Sequence, residues 1–261
     1  MYCAHFFLVL KISLIHKSPE TEGLVQMNAK VIDRAQEQAS LSSDLSRLIN
    51  SLGDHGYNFQ VSTKNSLHRL DHLDEASFLR VQDFVSTYFN LLQDANISPE
   101  KAVYNLDNEK ALLSACARRL GVVFHSDVID KITTEDVIEV YNHDLIQIYR
   151  SLSFFNLCSY SLTDLLTNEF YELYERSVQV NSHLIKAGEI LQARPYSLEP
   201  VDLSDIPRHL MREKLSEQKI SFFVEFKKMY PIYTISGAFY GYLIVLRGQK
   251  ATREMEKIAF I

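Results

Sequence analysis

Histidines and cysteines are the residues of this chain whose types and spacing could support metal or nucleophilic chemistry. His68 and His72 are four residues apart, so on a helix both imidazoles would face one side beside a carboxylate, as a metal site requires. The HExxH pattern is absent, however, and a solvated polar face explains this pair more simply. Cys3, Cys116 and Cys158 are odd in number, far apart and in no CxxC pair, which argues against a disulfide framework and a zinc site.

Signatures of familiar enzyme classes are also absent. The sequence has no GxSxG, GxxxxGK[ST] or GxGxxG pattern and no cysteine in a motif with a histidine. Glu172 and Glu175 have helical spacing, which a solvated helix face explains without a catalytic role. We therefore predict that the protein is not an enzyme. For an enzyme of unrecognised type, His183, Glu225 and Tyr230 would be the first residues to test.

Composition and charge indicate a globular protein. The 261 residues are 46% hydrophobic and 23% charged, with 8 Gly and 6 Pro, and this length allows one large domain or two small ones. The net charge of -6 comes from scattered charges without a basic cluster, so we expect no nucleic-acid partner. The cysteine pattern fits a reducing compartment, which predicts a cytoplasmic location.

The N-terminal stretch CAHFFLVLKISLI is apolar but interrupted by Lys11. It is too short to span a bilayer, and neither a basic segment before it nor a small-residue cleavage site after it is present. Three interpretations stay open: a weak export signal, a packed strand or helix, or a translation start at Met27. Residues 1–26 could therefore be an extension outside the core, and no transmembrane span is expected.

Helical patterns dominate residues 1–121, which we predict to be a mainly helical N-terminal region. Apolar residues recur near every 3.6 positions in two stretches, and the second stretch has Asp74 or Ser77 available as its N-cap. Ser98 followed by Pro99 has the order that opens a helix. The predicted helices cover residues 34–52, 77–95 and 98–121.

Short strands and helices replace this pattern after Thr134. DVIEVY and LIQIYR predict a hairpin, short helices follow with Ser161 as a cap, and a longer helix covers 178–193. ISFFVEF alternates as a half-buried strand does and continues into MYPIYT, where the proline predicts an edge or a bulge. A turn at Ser236 and Gly237 leads to the strand AFYGYLIVL. HLMREKL could be a strand or a helix, and residues 251–261 predict a C-terminal helix.

Two of these segments resemble a PAS domain. IYRSLSFFNLCSYSLTDLLTNEFYELYE is similar to the central part of that family, and MYPIYTISGAFYGYLIVL is similar to its closing hairpin. The resemblance covers roughly residues 134–250 and implies a PAS-like sensor domain over 122–250. The overall expectation is an α+β fold, with a helical N-terminal region followed by a PAS-like antiparallel sheet flanked by short helices. The chain departs from the family at Arg150 or Ser151, where Asn is frequent, and at LRGQKAT, where Asp-x-Thr is frequent.

The resemblance also implies a ligand site between the short helices and the sheet. Two interpretations of this space stay open, because aromatic and branched side chains at these spacings can line a pocket or fill a packed core. The many tyrosines of this half favour a ligand slightly, since buried phenols need hydrogen-bond partners. The candidate ligand-binding residues are Tyr149, Phe155, Tyr160, Leu165, Phe222, Val224, Phe226, Tyr242 and Ile244.

The residues that hold cofactors in PAS-related sensors have only weak counterparts in this sequence. His183 on the long helix could ligate haem iron, although Asn181 and Ser182 beside it suggest a solvated histidine. Cys158 does not match the Asn-Cys-Arg motif of flavin photosensors, and a buried inert thiol is the simpler interpretation. We leave the cofactor open and expect no metal site.

The functional expectation is a regulatory protein that binds a small apolar ligand or a protein partner and signals by association. The amphipathic helices 77–95 and 250–261 would form homodimer or output surfaces. One alternative is a pure protein interaction module with a solid core. The other is an enzyme of unrecognised type.

Overall fold

The fold is α+β, as the sequence predicts. Two compact units make up the chain, Met1–Ser40 and Leu41–Ile261, and the whole sheet belongs to the second. In the first unit, the described residues 23–40 are helical. The computed structural model describes residues 23–54, 70–95, 106–143, 147–168, 170–176, 180–194, 196–252 and 254–255.

Three helices precede the sheet: α1 (Gly23–Asp54), α2 (Glu75–Asp94) and α3 (Leu106–Leu120). Helix α2 begins where the Asp74 carboxylate accepts a 2.7 Å hydrogen bond from the Ser77 amide, which satisfies a backbone donor without a helical partner. The predicted helix 77–95 is confirmed to within two residues at each end, whereas the predicted helix 34–52 lies within α1, which begins eleven residues earlier. The predicted start at Ser98 lies outside the described residues. None of the described helices has the length and apolarity needed to cross a bilayer.

The sheet is antiparallel throughout. Its strands are β1 (Val122–Val123), β2 (Asp136–Asn142), β3 (Gln147–Arg150), β4 (Tyr174–Arg176), β5 (Val201–Asp202), β6 (His209–Glu213), β7 (Ser221–Thr234) and β8 (Phe239–Lys250). The main path is β3-β2-β8-β7-β6-β4, with β1 and β5 also pairing with β7. The hairpin that opens the domain thus lies beside the hairpin that closes it. HLMREKL, which the sequence leaves undecided, contains strand β6.

Short helices connect the strands: α4 (Ser126–Lys131), a 3-10 helix (Leu152–Asn156), α5 (Leu162–Thr167), α6 (Phe170–Leu173) and the longer α7 (Asn181–Gln192). The predicted cap at Ser161 is confirmed as a capping box with Asp164, in which each residue's side chain bonds the other's backbone. The segment EFYELYE is not one helix as expected. It divides at Tyr174 because Tyr174, Glu175 and Arg176 pair with β6 at the sheet edge, and this pairing overrides the helical pattern.

Both faces of the sheet are buried, so three layers form. Helices α2 and α3 cover one face, and their shared core, the helix-side core, includes Leu91, Leu112, Val140, Tyr149 and Leu243. The 3-10 helix and α7 cover the other face, and α5 contacts both cores, since Leu162 belongs to the first and Leu165 packs against the second. That second core, the α7-side core, includes Val137, Phe154, Tyr174, Leu191 and Phe222. The predicted boundary near residue 121 falls between α3 and β1, and the helix-side core contains residues from both sides of it.

A bulge in β7 changes which face its alternate side chains occupy. Phe226 before the bulge belongs to the α7-side core, whereas Tyr230 and Ile232 after it belong to the helix-side core. Phe226 pairs with Leu246 and Lys228 pairs with Val245, so Lys227 is an extra residue between them. Its ammonium group forms an ion pair with buried Asp136. The proline at position 231 pairs with Tyr242 on β8, and no described strand pairs with β7 at this point on its other side. A missing amide donor is tolerated there.

Helix α2 closes the exposed edge of β3. The Tyr88 hydroxyl accepts a 2.8 Å hydrogen bond from the Arg150 amide and donates to the carbonyl of the same residue. Because β3 is the edge strand, these two backbone groups face away from β2 and need partners elsewhere. Burial raises the pKa of Tyr88 well above its ordinary value, so the phenol stays protonated. One side chain thus satisfies a donor and an acceptor that would otherwise be buried alone.

We expect Tyr88→Phe to lower the free energy of unfolding by roughly 1–3 kcal/mol, because it removes one hydroxyl and leaves two buried backbone groups without partners. Urea unfolding measures the loss, and hydrogen exchange should show faster exchange at the Arg150 amide. Tyr240→Phe is the matched control, since this half-buried hydroxyl bonds no residue in the described part of the chain. Equal losses in the two variants would contradict the proposed role of Tyr88.

Glu109 places a carboxyl group at the interface between α3 and the sheet. The residue is only 4% exposed, and neither carboxyl oxygen makes a hydrogen bond of normal geometry to a described residue. Burial raises its pKa to about 8, although the nearby Leu152 and Ser153 amides and the Tyr149 hydroxyl act in the opposite direction. At neutral pH this group is therefore mostly protonated.

Stability should consequently fall as the pH rises from about 4.5 to about 8. In that window the folded protein keeps a proton on Glu109 that the unfolded chain has lost, at a slope approaching about 1.4 kcal/mol per pH unit. Unfolding measured from pH 4 to pH 9 should show a flatter profile for Glu109→Gln. Glu189→Gln, which neutralises an exposed carboxylate on α7, is the control. An unchanged slope in Glu109→Gln would refute the assignment.

Candidate functional site

Four aromatic rings form a continuous cluster in the α7-side core. Phe154 and Phe222 lie 6.1 Å apart, Tyr174 and Phe222 5.5 Å, and Tyr160 and Tyr174 5.4 Å, all with nearly perpendicular planes. Edge-to-face contacts of this kind are favourable because the positive ring edge meets the negative ring face. The 3-10 helix, β4 and β7 thus converge on one aromatic cluster, Phe154, Tyr160, Tyr174 and Phe222.

The structure brings eight of the nine predicted ligand-binding residues to the same side of the sheet. Six belong to the α7-side core: Tyr160, Phe222, Val224, Phe226, Tyr242 and Ile244. Phe155 and Leu165 are partly buried and pack against it. Their role in binding stays a prediction.

Tyr149 is the exception among the nine. It pairs with Val140, both residues belong to the helix-side core, and its ring stacks on Tyr88 at 5.7 Å. Successive strand residues point to opposite faces, so Tyr149 and its neighbour Arg150 diverge. Arg150 therefore takes the position on the α7 side that the sequence suggested for Tyr149.

Two phenols among the predicted ligand-binding residues, those of Tyr160 and Tyr242, find hydrogen-bond partners within the protein. The Tyr160 hydroxyl donates to the Leu173 carbonyl at 2.7 Å and accepts from the Leu215 amide at 3.0 Å. The Tyr242 hydroxyl accepts from the Gln192 amide group at 2.5 Å. A ligand is therefore not needed to satisfy them. The short-helix layer is also in close contact with the sheet, because a Cβ atom at Gly248 would overlap the Leu157 side chain.

A buried ion pair lies beside the aromatic cluster. Arg150 on β3 faces Glu139 on β2, with 2.7 Å between guanidinium nitrogen and carboxylate oxygen, and both side chains are about 10% exposed or less. The Tyr141 hydroxyl donates to the same carboxylate at 2.9 Å and accepts from Gln147 at 2.9 Å. The Arg150 guanidinium also lies 4.3 Å above the Phe154 ring, as a cation–π contact requires.

Burial and charge act against each other in this pair. Burial is the largest single influence on the pKa of Arg150 and would lower it, but the Glu139 carboxylate and smaller contributions from the neighbouring tyrosines together raise it. Burial raises the pKa of Tyr141, and Glu139 raises it further. Both groups therefore keep their protons at any ordinary pH, and the arrangement provides a fixed cation on an aromatic face.

Glu213 is a functional-region residue that the sequence analysis missed. It is 1% exposed, and its carboxylate accepts hydrogen bonds of 2.6 Å from the hydroxyls of both Ser159 and Ser216 and of 3.1 Å from the Ile220 amide. These bonds attach the loop after the 3-10 helix to the turn between β6 and β7. Its only sequence signal is an acidic residue at the end of an apolar strand.

The structure does not bring the candidate haem, flavin and metal ligands into a common site among the described residues. His183 is exposed on α7, and Cys158 is buried with a pKa raised to about 11, mainly by desolvation. Desolvation likewise raises the pKa of buried Cys116 to about 12, so neither thiol is activated. Of the earlier metal candidates, His68 lies outside the described residues and His72 is exposed. Within the described ranges, no three His, Cys, Asp or Glu side chains group closely enough to hold a metal ion.

Comparison with known proteins does not assign a family. No protein-family model matches the chain, and no curated protein matches it. The function must therefore be inferred from the geometry of the two cores and of the residues that connect them.

We expect Arg150→Met to destabilise the fold by about 3–5 kcal/mol, because the Glu139 carboxylate would be left buried without its counter-charge. The double variant Glu139→Leu/Arg150→Met should recover much of this loss, since two apolar side chains replace the pair. A double-mutant cycle by urea unfolding measures the coupling. Lys131→Met removes one partner of an exposed ion pair with Asp127 and is the control. Additive losses at positions 139 and 150 would rule out the coupling.

Proposed function

We propose that this chain is a regulatory protein whose PAS-like domain binds a small apolar ligand and signals by association, with itself or with a protein partner. The observation that carries this proposal is the position of Arg150. Its guanidinium lies on Phe154 in the aromatic cluster, while its backbone is bonded by Tyr88 of helix α2. A movement of the aromatic cluster on one face of the sheet would therefore reach helix α2 on the other face through Arg150.

The order of elements supports the PAS-like interpretation. A hairpin, short helices, a longer helix and antiparallel strands follow one another, as the resemblance implies. The short-helix layer and the sheet enclose the predicted ligand-binding residues other than Tyr149. A ligand there would act by population shift, favouring the arrangement of Phe154 and Arg150 that accommodates it.

The proposal includes a cytoplasmic location for the protein and association through its surface. Two free, buried cysteines are compatible with a reducing cytoplasm. Association must use a surface other than the apolar stripe of α2, because Phe78, Val81 and Val85 are buried inside the chain itself. The second helix expected as an output surface, 250–261, lies mostly outside the described residues.

Native mass spectrometry of the chain purified from its own host, compared with the denatured chain, tests the proposal. We expect a retained small molecule, and an absorbance spectrum would reveal haem or flavin. Removing the molecule should change hydrogen exchange in β3 and α2, because Tyr88 connects them. In Tyr88→Phe the molecule should stay bound while the change in α2 is reduced. An empty, colourless and monomeric chain would refute the proposal.

A second candidate function is an interaction module with a solid core, and an exposed apolar group favours it. Val123, Tyr196, Leu198 and Ile235 are 48–81% exposed. Val123 pairs with Tyr233, and the Tyr233 hydroxyl donates to the Ser197 carbonyl at 3.1 Å, so these residues surround one end of the β7–β8 hairpin. Exposed apolar side chains that gather at one place are typical of a protein contact surface.

Ile235→Asp tests this alternative without disturbing either core, because the side chain is 78% exposed. If this surface mediates association, the variant should be monomeric in sedimentation or native mass spectrometry where the original chain is not. Leu215→Asp, at an exposed apolar residue in the turn between β6 and β7, is the matched control and should leave association unchanged. Equal behaviour of the two variants would exclude the hairpin end as the contact surface.

A further inference from the structure

His209 on β6 has an unusual environment for a buried imidazole. The residue is 2% exposed, and its Nδ1 atom lies 3.0 Å from the Pro207 carbonyl oxygen. A carbonyl can only accept a hydrogen bond, so Nδ1 carries the proton in the neutral ring. Nε2 is then a bare acceptor, and it has no hydrogen-bond partner among the described residues.

The imidazole lies on the same side of the sheet as the predicted ligand-binding residues. His209 pairs with Val224, and its ring is parallel to that of Phe226, with 6.1 Å between centroids. Both neighbours belong to the α7-side core. A buried acceptor without a donor costs roughly 1–3 kcal/mol, so such groups usually have an ordered water or a ligand as partner.

The charge near His209 restricts which donor would suit it. Arg176 on β4 pairs with Met211, two residues along the same face of β6. Desolvation lowers the pKa of His209, and the positive charge of Arg176 lowers it further against the effect of the Pro207 carbonyl. The imidazole is therefore neutral at pH 7, and an ammonium donor would be repelled by the guanidinium. A neutral or weakly acidic hydroxyl fits both neighbours.

We propose that His209 is the polar anchor of the ligand site and that its ligand is a small apolar molecule carrying a hydroxyl group, which donates a hydrogen bond to Nε2. This inference rests on the proposed ligand-binding function and specifies the chemistry of the ligand. Val224 and Phe226 would contact the apolar body of the molecule, and Nε2 would fix its orientation. The hydrogen bond would satisfy the buried acceptor.

Phenol and anisole are the matched probes, because they share a ring and differ by the hydroxyl donor. Titration of the full chain, followed through the His209 Nε2 nitrogen resonance, should show phenol binding about tenfold more tightly than anisole. Only phenol should shift that resonance. In His209→Leu the two affinities should become equal, whereas His209→Gln, which retains an acceptor, should keep part of the preference.

The outcomes separate this inference from the proposed function. If anisole binds as tightly as phenol and the Nε2 resonance is unmoved, His209 is not the anchor, while the apolar site stands. The inference also fails if the unliganded Nε2 resonance already shows a hydrogen bond that phenol does not change, since water is then the partner. If neither probe binds, His209 does not select a hydroxyl. A molecule still retained in native mass spectrometry would then preserve the proposed function alone, and an empty chain would overturn both.

Discussion

The buried pair of Glu139 and Arg150 is the constraint on which the arrangement of the other layers depends. A guanidinium inside a protein is unfavourable unless a carboxylate faces it, and the pairing of β2 with β3 places Glu139 directly opposite. The chain then enters the 3-10 helix two residues later, which sets Phe154 beneath the guanidinium. The register of the first hairpin, the position of the short helices and the aromatic cluster are therefore linked through one ion pair.

Side chains alternate between the two faces of the sheet along strand β3, so the ion pair affects the packing on both faces. Tyr149 points to the helix-side core and Arg150 to the α7-side core, while the backbone of Arg150 bonds Tyr88 at the edge. A four-residue edge strand would otherwise present unpaired groups to its surroundings. The helical layer is thus part of the sheet's hydrogen-bonding pattern, and its position depends on a strand that also contacts the aromatic cluster.

Local pattern was sufficient to predict much of this fold. The alternation from Ile220 to Phe226 and the turn at Gly237, which has a φ of +85°, are local features, and both are present as expected. The bulge at Lys227 has no local signal in the sequence, and Asp136, which forms an ion pair with this lysine, is distant in sequence. Local periodicity likewise predicts a helix at strand β4, because it contains no information on the pairing of this segment with β6.

In the candidate site, too, the features that depend on residues distant in sequence could not be predicted from local patterns. In the sequence, Arg150 stands out only as a departure from the PAS pattern, because its partner Glu139 becomes evident only with the strand register. The sequence does not indicate a role for His209, because the segment around it has no clear strand or helix pattern. The tyrosines, which suggested a ligand through their need for hydrogen bonds, have partners at Tyr160 and Tyr242.

Composition can show how many polar groups a core contains, but it cannot show which of them the fold leaves unsatisfied. In the α7-side core, the Nε2 of His209, unpartnered within the described part of the chain, therefore indicates a ligand more specifically than the number of phenols does. A hydroxyl can rotate to find a carbonyl or an amide nearby, whereas the acceptor of an imidazole fixed at Nδ1 has only one direction in which to find a donor. The least adaptable polar group is consequently the most informative about what the site would bind.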